Sequence, residues 1–233
     1  LQSIEIPNSV TSLGSNMFSG CSSLKVVSLS SVITELPGSI FNNCSSLETI
    51  VLPAGITTIG NSAFEGCSSL TGVSMPLGLE SIGQSVFYGC SSLTSIVLPS
   101  AIKSIPYGLF YNCTNLASIE MGDDITSIGQ NAFYGCKSIT RLDFSGALES
   151  TGNYAFAYCT SLREVLLSPN LTSLGSSAFS NCTSLEEISL PDSLKVIPSS
   201  LFSNCSSLKT VNAAADLISI GSSAFRSCIS LTT

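Results

Sequence analysis

The sequence predicts a solenoid of about ten repeats of 23 residues, each adding one strand to a parallel sheet. Three observations predict it. Cysteine recurs every 23 residues, at Cys21, Cys44, Cys67, Cys90, Cys113, Cys136, Cys159, Cys182, Cys205 and Cys228, and none of the ten lies outside that register. A phenylalanine stands three places before each, from Phe18 to Phe225. Aliphatic residues recur at fixed offsets between the cysteines. A fixed period of this length marks an array in which each repeat buries its apolar side on the next.

The first element of a repeat is a short strand. In Leu47-Glu48-Thr49-Ile50-Val51-Leu52-Pro53, alternation places Ile50 inward and Thr49 and Val51 outward. Leu93-Ile96-Leu98 and Leu185-Ile188-Leu190 repeat the frame. Proline follows at Pro7, Pro53, Pro76, Pro99 and Pro191 and marks the strand end, because it cannot donate a ladder hydrogen bond. A second apolar pair comes next, as at Ile56 and Ile59 or Ile125 and Ile128.

A column of glycine or proline follows: Gly14, Pro37, Gly60, Gly83, Pro106, Gly129, Gly152, Gly175, Pro198 and Gly221. A column that accepts proline does not need positive φ. It is read as the opening of a single helical turn, where proline suits the first position. The column before cysteine (Gly20, Asn43, Gly66, Gly89, Asn112, Gly135, Tyr158, Asn181, Asn204 and Ser227) holds mostly the two residues that best tolerate the left-handed region. It is expected to close a short helix over Ser62-Ala63-Phe64-Glu65 and its counterparts. Turns opened by proline carry Ile40, Leu109 or Leu201 before the phenylalanine. Most opened by glycine carry alanine, as at Ala63, Ala132 and Ala178, which conserves core volume.

Leucine at one, isoleucine at four, leucine at six, then proline and a downstream Ala-Phe-x-x-Cys resemble the BspA-like class of leucine-rich repeat. Residues 59–70, Ile-Gly-Asn-Ser-Ala-Phe-Glu-Gly-Cys-Ser-Ser-Leu, carry the pattern well, and it spans the whole chain. The resemblance implies a curved, right-handed solenoid with its parallel sheet on the concave side and no enzyme activity. It also implies a secreted or cell-surface protein with an adhesive or host-matrix-binding role. Residues 1–233 are expected to form one leucine-rich repeat domain, an excerpt without caps of a longer protein. Thr151 for an apolar residue, Ile139 for leucine and the soft strand Val211-Asn212-Ala213-Ala214 depart from the pattern.

Composition narrows the function classes. The net charge is −7, which argues against a nucleic-acid backbone as partner. There is no histidine, so the commonest general base, the usual zinc ligand and any serine–histidine triad are missing. No apolar run is long enough for a membrane-spanning helix. Zinc sites need clustered ligands such as C-x₂-C, and the cysteines show none. Equivalent side chains in a parallel stack point the same way, so neighbouring sulfurs are badly aimed for disulfides, and a ladder of buried free thiols is expected. No cofactor or metal is expected. Five sequons start at Asn43, Asn112, Asn170, Asn181 and Asn204; the repeat explains four of them without a glycan.

Binding is expected on the outward strand positions. Thr49, Gly72, Ser95, Ser118, Arg141, Glu164, Glu187 and Thr210 form one column; Val51, Ser74, Val97, Glu120, Asp143, Leu166, Ser189 and Asn212 form the other. Small neutral residues fill the first half. Glu120, Arg141, Asp143, Glu164 and Glu187 surround Leu166 in the second and form the candidate concave site for a protein ligand such as a host or matrix protein. The alternative patch is Tyr88, Tyr111 and Tyr134, one column on the outer face. The competing function is a structural or self-associating spacer with no specific ligand.

Overall fold

The structure, a computed structural model, describes residues 1–232. In chain order its strands are β1 (Ser3–Glu5), β2 (Val26–Ser28), β3 (Glu35–Leu36), β4 (Thr49–Val51), β5 (Thr58–Ile59) and β6 (Gly72–Ser74). Next come β7 (Ser81–Ile82), β8 (Ser95–Val97), β9 (Ser104–Ile105), β10 (Ser118–Glu120), β11 (Ser127–Ile128) and β12 (Arg141–Phe144). The last are β13 (Ser150–Thr151), β14 (Glu164–Leu167), β15 (Glu187–Ser189), β16 (Val196–Ile197), β17 (Thr210–Asn212) and β18 (Ser219–Ile220). Every strand pairing is parallel, and equivalent residues of successive repeats face one another, as Ile50 faces Val73 and Leu142 faces Val165. The chain is therefore a parallel-stranded solenoid with one repeat per coil. It divides into two compact units, Leu1–Ile102 with Gly108–Gly122, and Lys103–Tyr107 with the chain from Asp123 onward.

Each coil carries a longer strand of three or four residues and, in most, a short one of two. The inward residue of the longer strand is buried in six coils (Ile50, Ile96, Leu142 and Ile188 among them) and half-buried in β1, β6, β10 and β17, and its two neighbours face out. The turn after the longer strand closes on the carbonyl of the proline column, as Ile56 N–H donates to Pro53 O at 3.1 Å. At Ser30 and Ser168, two of the serines that replace that proline, the hydroxyl supplies a tie: Ser30 Oγ donates to Val10 O and Ser168 Oγ to Gly146 O, both at 2.7 Å and both fully buried.

The glycine column is chosen by close approach. The Gly129 N–H donates to Ile105 O at 2.7 Å, and a Cβ on Gly129 would stand 2.7 Å from Tyr107 N. Gly60 donates in the same way to Leu36 O and has no more room. Proline cannot make this bond. The three ladders of short strands, β3-β5-β7, β9-β11-β13 and β16-β18, accordingly each begin at a strand followed by proline: Pro37, Pro106 or Pro198.

The segment expected as a helical turn is not helical; among the described residues there is no helix. Ser62 has φ 56° and Gly66 φ 73°, so two left-handed residues bracket Ala63-Phe64-Glu65. The N–H groups of Ser62, Phe64 and Gly66 point to the next coil and donate to Gln84, Val86 and Tyr88 carbonyls at 2.8, 3.0 and 2.7 Å. A helix would have turned these groups inward along its own axis. Hydrogen bonding between coils thus overrides the local signal. The column before cysteine is left-handed in all ten repeats, Tyr158 at φ 60° and Ser227 at φ 59° included. A second left-handed column, from Asn16 and Ser39 to Ser223, accompanies it.

The phenylalanines form the centre of the core. Phe41, Phe64, Phe87 and Phe110 in the first unit, and Phe133, Phe156, Phe179 and Phe202 in the second, are fully buried. Neighbouring rings stack nearly parallel, Phe64 on Phe87 at 5.7 Å between centroids and Phe179 on Phe202 at 5.8 Å. Ile40, Leu109 and Leu201, in the proline-opened turns, are fully buried at the position where most glycine-opened turns hold a buried alanine. Thr151 is buried in the aliphatic column, and its Oγ1 accepts the Gly175 N–H at 3.3 Å.

All ten cysteines are free thiols; eight are buried, and Cys21 and Cys228 in the first and last coils are half-buried. The thiols donate to the phenylalanine carbonyl of the preceding coil, as Cys44 Sγ to Phe18 O and Cys67 Sγ to Phe41 O, both at 3.1 Å. Phe41 O also accepts the Cys44 N–H, so one buried carbonyl is satisfied twice. Burial pushes the Cys44 thiol from the ordinary 9.0 up to about 11 and Cys159 and Cys205 to about 12.

Two outcomes follow from this core. Phe64→Ala is expected to lower unfolding free energy by about 3–5 kcal/mol in urea titration, since stacked rings on both sides keep the cavity open; a loss under about 1 kcal/mol would be that of an exposed site. The raised thiols hold protons that the unfolded chain releases from 9.0 upward. Their contribution is therefore complete below about 9 and lost as pH rises toward about 11 to 12. Denaturation midpoints are expected to fall across that window, less steeply in Cys159→Ala/Cys205→Ala; a slope unchanged in the variant contradicts it.

Candidate functional site

Side chains at the two outward positions of the longer strands stand clear of the core. In the second unit β12 pairs with β14, which sets Arg141 beside Glu164 and Asp143 beside Leu166. The Arg141 guanidinium donates to Asp143 Oδ2 at 3.1 Å and to Glu164 Oε2 at 3.3 Å. Asp143 Oδ1 also accepts the Ser145 N–H at 3.1 Å. The hydrogen bonds from Ser145, with Arg141 behind them, hold the Asp143 carboxyl below the usual carboxylate range. Leu166 lies alongside, 37% exposed. On β15 the Glu187 carboxylate accepts the Asn212 amide at 2.9 Å.

Arg141, Asp143, Glu164 and Leu166 are thus brought together, with Glu187 further along the same face. Glu120 lies on β10 in the first unit, in register with Val97 of β8. Both carboxylate partners of Arg141 lie on its own surface. These pairs are half-exposed and individually weak.

Of the tyrosines, Tyr88 and Tyr111 are half-buried and stack face to face, 4.4 Å between centroids at 1°. Tyr134, in the second unit, tilts against Tyr158 at 5.1 Å and 48°. The sequon residues Asn43, Asn112, Asn181 and Asn204 hold positive φ, which accounts for asparagine there.

The first unit carries a feature that reading the sequence missed. Val26, Val51 and Val97 are 60%, 74% and 56% exposed on the outward face, and Leu77, in the turn after β6, is 93% exposed. An open groove of about 640 Å³ runs across β4, β6 and β8 between them, floored at Gly72. With no side chain at Gly72, Val73 beneath is half-buried where Ile50 and Ile96 are buried. The signal was Leu77, the sole large apolar residue in a column otherwise of Asn8, Ser31, Ala54, Ser100, Asp123, Gly146, Pro169, Asp192 and Ala215.

The BspA type leucine rich repeat region, in six copies, matches residues 1–117 and 103–232. The chain belongs to this family. It is similar in fold to a leucine-rich repeat protein from Bacteroides ovatus, with a TM-score of 0.58 and 26% identity over 100% of this chain and 78% of that one. A leucine-rich repeat protein of T. pallidum matches with a TM-score of 0.59 and 28% identity over 79% of this chain and 78% of its own. The pneumococcal vaccine antigen PcpA shares the fold, with a TM-score of 0.59 and 19% identity over 99% of this chain and 67% of its own. No curated protein matches. Among the described residues no helix is long and apolar enough to cross a membrane.

Because the Arg141 pairs are exposed, Arg141→Ala is expected to change stability by less than about 1 kcal/mol in thermal or urea unfolding. A larger loss would make the cluster part of the scaffold rather than a surface free for binding.

Proposed function

We propose that the chain is a non-enzymatic interaction module of a secreted or cell-surface protein, and that it binds a protein ligand through the outward face of its longer strands. The observation that carries this is the contrast between columns. Core columns hold phenylalanine, cysteine and leucine coil after coil, while the outward columns change from small to aliphatic to charged. A scaffold that holds its interior constant and varies one face suits recognition. The bacterial leucine-rich repeat relatives, a vaccine antigen among them, support a surface or extracellular setting.

Residues 1–233 are read as one repeat domain, and Glu120, Arg141, Asp143, Glu164, Leu166 and Glu187 as the contact strip for a host or matrix protein. The acidic surplus favours a basic partner and salt-sensitive association. The stacked Tyr88–Tyr111 pair, with Tyr134, is the competing surface.

Immobilised chain exposed to a panel of purified extracellular-matrix proteins tests this. At least one is expected to bind, more weakly as salt rises, and Asp143→Lys/Glu164→Lys is expected to weaken it at least about tenfold, or about 1.4 kcal/mol. Binding that survives this change but is lost in Tyr88→Ala/Tyr111→Ala/Tyr134→Ala would move the site to the tyrosines. No binding by any of the panel contradicts the matrix-protein reading.

A further inference from the structure

The groove of the first unit is bounded in a way that specifies an occupant. The eight outward positions of β2, β4, β6 and β8 (Val26, Ser28, Thr49, Val51, Gly72, Ser74, Ser95 and Val97) carry no charge. The same face carries Glu5 on β1 at one end and Glu120 on β10 at the other. Both are exposed, and neither has an ion-pair partner among the described residues. Glu5, Ser28, Val51, Ser74, Val97 and Glu120 are one column, so five coil spacings of about 4.8 Å separate the carboxylates by about 24 Å.

The floor mixes two chemistries. Val51, Val97 and Leu77 offer exposed methyl groups. Between them Ser74 and Ser95 present hydroxyls that make no protein hydrogen bond among the described residues. A hydrocarbon chain would leave those hydroxyls unmet, at a cost in desolvation. A polypeptide suits both, because it alternates aliphatic side chains with peptide groups that donate and accept. About seven extended residues span about 24 Å.

We infer that this groove binds a polypeptide segment of a partner protein that has an uncharged aliphatic centre and a lysine or arginine at each end, the basic ends pairing with Glu5 and Glu120. This rests on the reading of the longer-strand face as a contact surface, and adds to it a first-unit strip that shares Glu120 with the contact strip proposed above.

The probe is a fluorescein-labelled peptide of about seven residues with lysine at both ends and a serine-leucine-valine centre, compared with its glutamate-ended counterpart by fluorescence anisotropy on the full 233-residue chain. The lysine-ended peptide is expected to bind at least about tenfold more tightly, and less so at high salt. Val51→Asp/Val97→Asp, at exposed positions, is expected to abolish binding. Glu5→Lys/Glu120→Lys is expected to reverse the preference between peptides, a result that misfolding does not produce. Asp143→Lys/Glu164→Lys is expected to leave peptide binding unchanged.

Equal affinity for the two peptides, no binding of either, or binding indifferent to the Val51 and Val97 changes overturns the inference. If the peptide instead responds to the Asp143 and Glu164 changes, the strip assigned is wrong while the sheet face stands as a contact surface. If only the tyrosine variant affects it, both readings fail.

Discussion

Register between coils is the constraint on which everything else in this molecule depends. Backbone groups of one coil are satisfied by the next, through the longer strands, the short strands and the turns before cysteine. A buried peptide group left unpaired costs free energy comparable to a lost hydrogen bond, so the coils must stay aligned residue for residue. Alignment then puts like on like. Phenylalanine meets phenylalanine, and the thiols from Cys44 onward meet the carbonyl of the phenylalanine one coil back, as Cys67 meets Phe41. A single inserted residue would misalign every column of its coil at once, which explains why the 23-residue spacing of cysteine is kept without exception.

The same constraint accounts for residues that fit no rule of local propensity. Gly129 is required because the preceding backbone passes where its Cβ would lie. Proline in this column gives up one bond to the preceding coil and starts a new short ladder instead. Ser30 and Ser168 take over from proline at the strand end by supplying a buried hydroxyl bond. Cysteine serves where a small apolar side chain must also donate weakly to a carbonyl, and burial keeps it protonated.

Most of the fold was legible because its signals are periodic. The strand with its inward isoleucine, the proline stop, the phenylalanine core and the free thiols all follow from column identities alone. The turn before cysteine was misread as helical because local spacing resembles a capped helix. What decides against it is the carbonyl row of the next coil, which no single repeat displays. The left-handed column of Asn16, Ser39 and Ser62 went unseen because serine dominates it, and serine carries little preference for positive φ. On the outward face, alternation placed Arg141, Asp143, Glu164 and Leu166 correctly. It could not tell that Arg141 is shared between two carboxylates, since that depends on side-chain reach across β12 and β14. The groove was missed for a related reason: Gly72 reads as one more small neutral residue until it is seen beside Val51, Leu77 and Val97 along the same groove.

The two strips of the outward face differ in what they can contribute to recognition. Around Arg141 the charges are already paired, so a partner gains only the difference between its own contacts and those it displaces, and half-exposed pairs are screened by salt. Such a patch selects partners and orients them more than it holds them. Around Val51 the situation is reversed. Aliphatic groups stand in water with no partner, and covering them releases free energy in proportion to the apolar area removed, about 25 cal/mol per Å². On the proposed contact face, the neutral strip would therefore supply affinity and the charged strip discrimination. Both come from the same two outward positions of the longer strand. Because Arg141, Val51 and Gly72 stand at outward strand positions, the face can vary coil by coil while the core columns are kept.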